Sequence, residues 1–157
     1  MLALAAAPWP LSAQPASLLH KPAPTFVRDD LQHRRIDLSA YRGKVVLLTF
    51  WATWCAPCQV EIPRFVQWQN RYGPQGLQIV AISMDDDPAP VEALTRSRHV
   101  NYPVLMGDEQ LGTLYGGILG LPVTFLIDRD GVIAARYKGQ PNLRAVRSAV
   151  ERLLRGP

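Results

Sequence analysis

The feature that most restricts this chain is a pair of cysteines two residues apart, Cys55 and Cys58, set directly after an apolar run rich in β-formers. Residues 44–51 read Lys-Val-Val-Leu-Leu-Thr-Phe-Trp, almost without polar interruption, which predicts a central strand buried on both faces. Residues 55–72 then carry Val60, Phe65, Val66 and Trp68 at helical spacing, and Gly73-Pro74 stops the pattern. The cysteines are therefore expected where a strand hands over to a helix.

Residues 77–83 read as a second buried strand, and a strand-helix-strand unit of this length implies a parallel pair with a right-handed crossover. Further on, residues 89–99 predict a helix, 102–106 a short strand and 110–115 a short helix. Residues 123–127 and 132–137 predict a hairpin around the turn 128–131, and 143–154 a last helix with Val146, Val150, Leu153 and Leu154 on one face. Upstream, residues 26–38 alternate weakly around Asp29-Asp30, as a short hairpin at a sheet edge would. The order predicts an α/β domain: a central mixed sheet with helices on both faces, an N-terminal β-hairpin and a central strand-helix insertion.

With 157 residues, 48% of them hydrophobic, the chain suits one core rather than two. Residues 25–157 are assigned to that domain and 14–24, rich in Pro, Ala and Ser, to a linker. Residues 1–13 are apolar and small and resemble a remnant of a secretory signal, with Leu11-Ser12-Ala13 as an acceptable cleavage site. They carry no Lys or Arg before the apolar stretch, and Pro8 and Pro10 cut it short, so a truncated start or a flexible tail are the two readings. The expected location is periplasmic or otherwise extracytoplasmic, soluble or anchored by a segment upstream of Met1.

Charge and cysteine count exclude several classes. The 17 Lys and Arg exceed 13 Asp and Glu by a net +4, and no basic run is longer than Arg34-Arg35, so nucleic acid is not an expected partner. Two cysteines cannot build a disulfide framework or a four-cysteine zinc site. His20, His33 and His99 show no ligand spacing, and Asp85-Asp86-Asp87 reads as a polar loop that caps a helix, so no metal is expected.

Dithiol exchange needs one thiol ionised enough to attack and a second close enough to resolve the mixed disulfide. At a helix start, backbone amides and the helix dipole favour the thiolate of Cys55, lowering its pKa from about 8.5 toward about 7. Cys58 follows one turn in, on the same face and more shielded. Cys55 is thus expected to attack and Cys58 to resolve; two ordinary cysteines are the alternative. Trp54 offers an apolar contact beside the pair, unless it is a plain core aromatic.

The string from Phe50 to Cys58, then Glu61 and Pro63, then residues 120–128 with Asp130-Gly131, resembles the thioredoxin superfamily and, within it, the TlpA/ResA group of extracytoplasmic reductases. The resemblance covers nearly all of the chain from Thr25 onward and implies a thioredoxin-like fold. It implies that Pro122 holds a cis peptide opposite the cysteines, with Leu121 offering its backbone to a substrate chain and Trp54 and Pro57 flanking it; a strand-start proline is the alternative for Pro122. It also implies that Glu61, three residues beyond Cys58, moves the proton of the resolving thiol, against the alternative of an exposed helix glutamate. Thr49 stands where thioredoxin has a buried aspartate, which raises the interest of Glu61.

The function implied is a thiol-disulfide oxidoreductase that passes electrons from a membrane thiol-disulfide donor to an oxidised client protein, as in cytochrome c or copper-site maturation. It would work as a monomer, with the Cys55-Cys58 disulfide in place of any cofactor. A peroxiredoxin-like peroxidase and a Sco-like copper-binding chaperone, with His99 as its distant ligand, are the alternatives. Ala56-Pro57 does not fix the reduction potential, so the direction of exchange stays open between reductase and oxidase.

Overall fold

The computed structural model describes residues 17–156; the expected signal remnant at 1–13 and the first residues of the linker lie outside them. Seven strands and four helices follow one another as β1 (Val27–Asp29), β2 (Arg35–Asp37), β3 (Val45–Trp51), α1 (Ala56–Tyr72), β4 (Leu77–Ser83), α2 (Pro88–Ser97), β5 (Val104–Met106), α3 (Glu109–Leu114), β6 (Val123–Ile127), β7 (Ile133–Lys138) and α4 (Leu143–Arg155). This is the mixed α/β thioredoxin-like architecture expected, with boundaries displaced by no more than two residues in the main sheet.

Five strands form the main sheet in the order β5-β4-β3-β6-β7. Strand β3 runs parallel to β4, in register from Val45 against Leu77 to Trp51 against Ser83, and antiparallel to β6. Every residue of β3 is buried, because alternate side chains enter two different cores. Val45, Leu47 and Trp51 pack with Ile62, Phe65 and Trp68 of α1 and with Val146 and Val150 of α4. Val46, Leu48 and Phe50 pack on the opposite face with Leu111 and Tyr115 and with Phe26, Ile36 and Leu38 of the N-terminal segment.

Helices therefore lie on both faces, but unevenly. The second face is covered by the six-residue α3 and by the β1-β2 hairpin, which forms its own two-stranded sheet. The hairpin meets the main sheet at its edge through an antiparallel bridge between Asp30 and Leu105 of β5. Tyr115 anchors this face: its ring contacts Phe26, Phe50 and Phe125, and its hydroxyl donates to the Pro24 carbonyl at 2.6 Å. Burial pushes that hydroxyl's pKa up, so it remains a donor.

At the end of the sheet where β3 begins, Arg129 joins three distant segments. Its guanidinium donates to the carbonyls of Gly43 (2.7 Å), Gln75 (3.3 Å) and Leu154 (3.0 Å). The other end, where β3 stops, carries the cysteines.

Candidate active site

The chain leaves β3 at Trp51 and enters α1 through Ala52, Thr53, Trp54 and Cys55. Cys55 is the N-cap of α1, with extended backbone (φ −90°, ψ 102°), and its sulfur accepts from the Cys58 amide at 3.4 Å. Pro57 sits in the first turn, where a missing N–H costs nothing because that donor has no helical partner anyway. The geometry brings the two sulfurs together: Cys55 and Cys58 form a disulfide with S–S 2.08 Å and Cα–Cα 5.3 Å.

Both cysteines are buried, Cys55 at 6% exposure and Cys58 at 2%. Cys58 is the more shielded, as its position one turn into the helix requires, and Cys55 is nearly as closed to solvent. In the bonded state both cysteines pack with the core beneath α1. Trp54 is 71% exposed and is no core aromatic.

The helix turns a stripe of Cys58, Glu61, Ile62, Phe65, Trp68 and Tyr72 inward. Val60, which helical spacing had grouped with the apolar face, is 56% exposed instead. The inward stripe is set by Ile62, Phe65 and Trp68, and Val60 lies on the far side of the helix from them.

Glu61 is at 2% exposure, so the reading as an exposed helix glutamate does not hold. Burial raises its pKa from 4.5 to about 8. Its Oε1 has no hydrogen-bond partner among the described residues. Tyr102, from the segment before β5, lies close enough for a Glu61 charge to add to the upward shift that burial imposes on its hydroxyl. Sequence reasoning assigned Tyr102 only to a strand, and nothing local marks it as a neighbour of the pair. Thr49 and Thr124 meet across β3 and β6, their hydroxyls 3.1 Å apart and buried, so no ionisable group occupies that position.

The Leu121-Pro122 peptide is cis, as the resemblance implied. Since Phe50 pairs with Val123, Pro122 falls beside the end of β3 from which the chain runs to Cys55. Cys55, Cys58, Trp54, Pro57, Leu121 and Pro122 thus gather at one end of the sheet. His99 does not join a ligand set: it is exposed after α2 with a left-handed backbone (φ 51°), and no cluster of three or more His, Cys, Asp or Glu suited to a metal occurs among the described residues.

A set of polar contacts that the sequence did not indicate holds the loop before Cys55. Asp85 accepts from the Thr53 amide at 2.9 Å, from the Thr53 hydroxyl and from Ser83 Oγ at 2.7 Å, while Gln59 Nε2 donates to the Thr53 carbonyl at 2.6 Å. The parallel pairing of β3 and β4 makes this possible, because both strands end side by side at Trp51 and Ser83. Asp85 belongs to the acidic run read as a loop that caps a helix; Asp87 does cap α2, accepting from the Ala89 amide at 2.9 Å.

Comparison with known proteins agrees with this arrangement. The model of the AhpC/TSA family matches residues 19–136. The thiol-disulfide oxidoreductase ResA of Bacillus thuringiensis subsp. konkukian is 36% identical over 122 residues, 76% of this chain and 69% of the relative. ResA of Bacillus subtilis is 38% identical over 118 residues, 74% of this chain and 65% of the relative. Among solved structures, a thiol:disulfide interchange protein of the thioredoxin family from Chlorobium tepidum aligns with TM-score 0.79 at 29% identity, covering 85% of this chain and 95% of the other. A match over most of the chain, relatives more than a third identical over the aligned residues, and a disulfide-bonded cysteine pair held in the same fold lead to one conclusion: the chain belongs to the AhpC/TSA family, as a thiol-disulfide oxidoreductase.

Proposed function

We propose that the chain reduces disulfides of client proteins outside the cytoplasm, with Cys55 as the attacking and Cys58 as the resolving thiol. The observation that carries this reading is the Cys55-Cys58 disulfide at the start of α1, at the same end of the sheet as the cis Leu121-Pro122 peptide. In the reduced protein the Cys55 thiolate attacks one sulfur of the client disulfide. A mixed disulfide forms and the client's other sulfur leaves as a thiolate. Cys58 then gives up its proton, attacks Cys55 and releases the client's second thiolate, so two electrons pass to the client and the Cys55-Cys58 bond re-forms. No cofactor beyond the pair takes part.

Glu61 is suited to the proton traffic of Cys58, since a carboxyl with pKa about 8 both accepts and donates near neutral pH. Trp54 and Pro57 flank the attacking sulfur, and Leu121 and Pro122 offer the backbone along which a client segment would lie. The pair is returned to the dithiol by a membrane thiol-disulfide donor, and the clients are exported proteins such as apocytochrome c or a copper-site maturation factor. The protein acts as a monomer. An oxidising compartment, where protein disulfides persist, gives a dedicated reductase its task. No helix among the described residues is long and apolar enough to cross a membrane.

The test is a redox titration of Cys55/Cys58 against glutathione together with trapping of clients. A potential near that of thioredoxin, about −270 mV, supports the reductase; one near about −120 mV makes the chain an oxidase. Cys58→Ser is expected to accumulate a mixed disulfide with its client, visible on non-reducing gels, and Cys55→Ser to lose exchange altogether. Retained insulin reduction by Cys55→Ser removes Cys55 from its role. Hydrogen peroxide consumed by the reduced protein as fast as client disulfide would favour a peroxidase instead.

A further inference from the structure

Along the outer face of α1, two adjoining pockets that share Arg64 and Gln67 extend from beside Trp54 toward the C-terminal end of the helix. The pocket next to Cys55 in the chain is lined by exposed Trp54 and Val60, by Pro63 and Arg64, and by Arg98 from the end of α2. Arg64 and Gln67 also border the next stretch, which runs between α1 and the start of α4 and is lined by Arg71, Arg144 and Arg147. Five arginines thus border a track made of two pockets that share Arg64 and Gln67, and no Asp or Glu is among the lining residues.

Not all of these cations are equally free. Arg147 pairs loosely with Glu151 at 3.8 Å, and the Arg71 guanidinium stacks over the Tyr72 ring at 5.4 Å. Arg64, Arg98 and Arg144 make no ion pair among the described residues. Such a row of one sign on a partly apolar floor raises the local concentration of anionic partners and steers their approach. From Ala56 to Arg71 the helix rises about 22 Å, the length of about seven extended residues.

Resting on the reductase reading above, we infer that this track docks a client segment that is acidic within about seven residues of its reactive cysteine, with an apolar residue against Trp54 and Val60. The occupant is a protein segment rather than an anionic surface because Trp54 and Ala56, the residues on either side of Cys55 in the chain, line the near end of the track: a client cysteine delivered to Cys55 has its flanking chain close to the mouth of the groove. Arg64, Arg98 and Arg144 act as specificity determinants for an exchange that Cys55 and Cys58 carry out.

The test uses the full chain, pre-reduced and freed of reductant, in single-turnover exchange with two disulfide-bonded peptides. They are identical except that three positions within seven residues of the cysteine, on both sides, are Asp in one and Lys in the other. The acidic peptide is expected to react about tenfold or more faster at low salt, with the ratio falling toward one at high ionic strength. Arg64→Glu/Arg98→Glu/Arg144→Glu is expected to invert the ratio, and Arg64→Gln/Arg98→Gln/Arg144→Gln to bring it near one. Using the ratio within each variant keeps the readout independent of partial loss of folded protein. A wild-type ratio near one, or a ratio unmoved by charge reversal, overturns the inference. So does a ratio near one joined to arginine-dependent sedimentation with phosphatidylserine vesicles, which would make a membrane surface the occupant. Reduction of neutral 2-hydroxyethyl disulfide separates the two levels: if it proceeds while neither peptide reacts, docking alone fails, and if it too is absent the reductase reading fails with it.

Discussion

A carboxyl at 2% exposure cannot ionise cheaply, and Glu61 is raised to about 8 for that reason alone. The folded protein therefore holds a proton on Glu61 that the unfolded chain releases at about pH 4.5. Stability from this group is complete below that value and is lost as pH rises to about 8. Glu61→Gln removes the titration, so the oxidised variant is expected to lose less stability than the parent between pH 5 and 8. Urea unfolding across that range measures it, and a difference of about 1–3 kcal/mol at pH 8 in favour of the variant is anticipated. On the role proposed for Glu61 at the Cys58 proton, the same substitution is expected to slow release of the mixed disulfide without slowing its formation. That Glu61 shares the inward face of α1 with Cys58 was legible in the sequence from the three-residue spacing. Its burial was not, because part of its surroundings comes from Tyr102, forty-one residues away in the chain.

Among the elements, the loop between β3 and α1 and the loop after β4 behave as one unit through Asp85. Asp85→Asn, which removes the charge that serves both Thr53 and Ser83, is expected to cost about 1–3 kcal/mol. Thr53→Val is expected to cost about 1 kcal/mol. The double variant should cost less than the sum, since both changes act on the same hydrogen bonds. Chemical denaturation of the four proteins checks this; strict additivity would mean that the two residues do not act together. The helix itself was readable from sequence almost to its ends, thanks to Gly73-Pro74 and the inward stripe that Phe65 and Trp68 announce. The clamp was not, since three adjacent aspartates look alike in a sequence and only strand pairing decides that Asp85 faces Thr53 while Asp87 caps α2.

For the molecule as a whole, the central strand divides one sheet into two cores. Leu47→Ala and Leu48→Ala, neighbours that point to opposite faces, are each expected to destabilise the protein by about 2–5 kcal/mol, measured by thermal or chemical unfolding. A marked difference between them would show that one face is dispensable. The uninterrupted apolar run foretold this two-sided burial. The unequal helical cover did not show in the sequence, because the weakly patterned residues 26–38 give little sign that their hairpin replaces a helix layer on the second face. The antiparallel turn of β6 against β3 is what brings Pro122 to the cysteines across more than sixty intervening residues. At the opposite end, Arg129 holds the close of α4 against the start of β3 through Leu154 and Gly43. An affinity tag or bead attached behind the last helix would consequently sit on the molecule's blind side, leaving the reactive rim facing outward for capture of clients from solution.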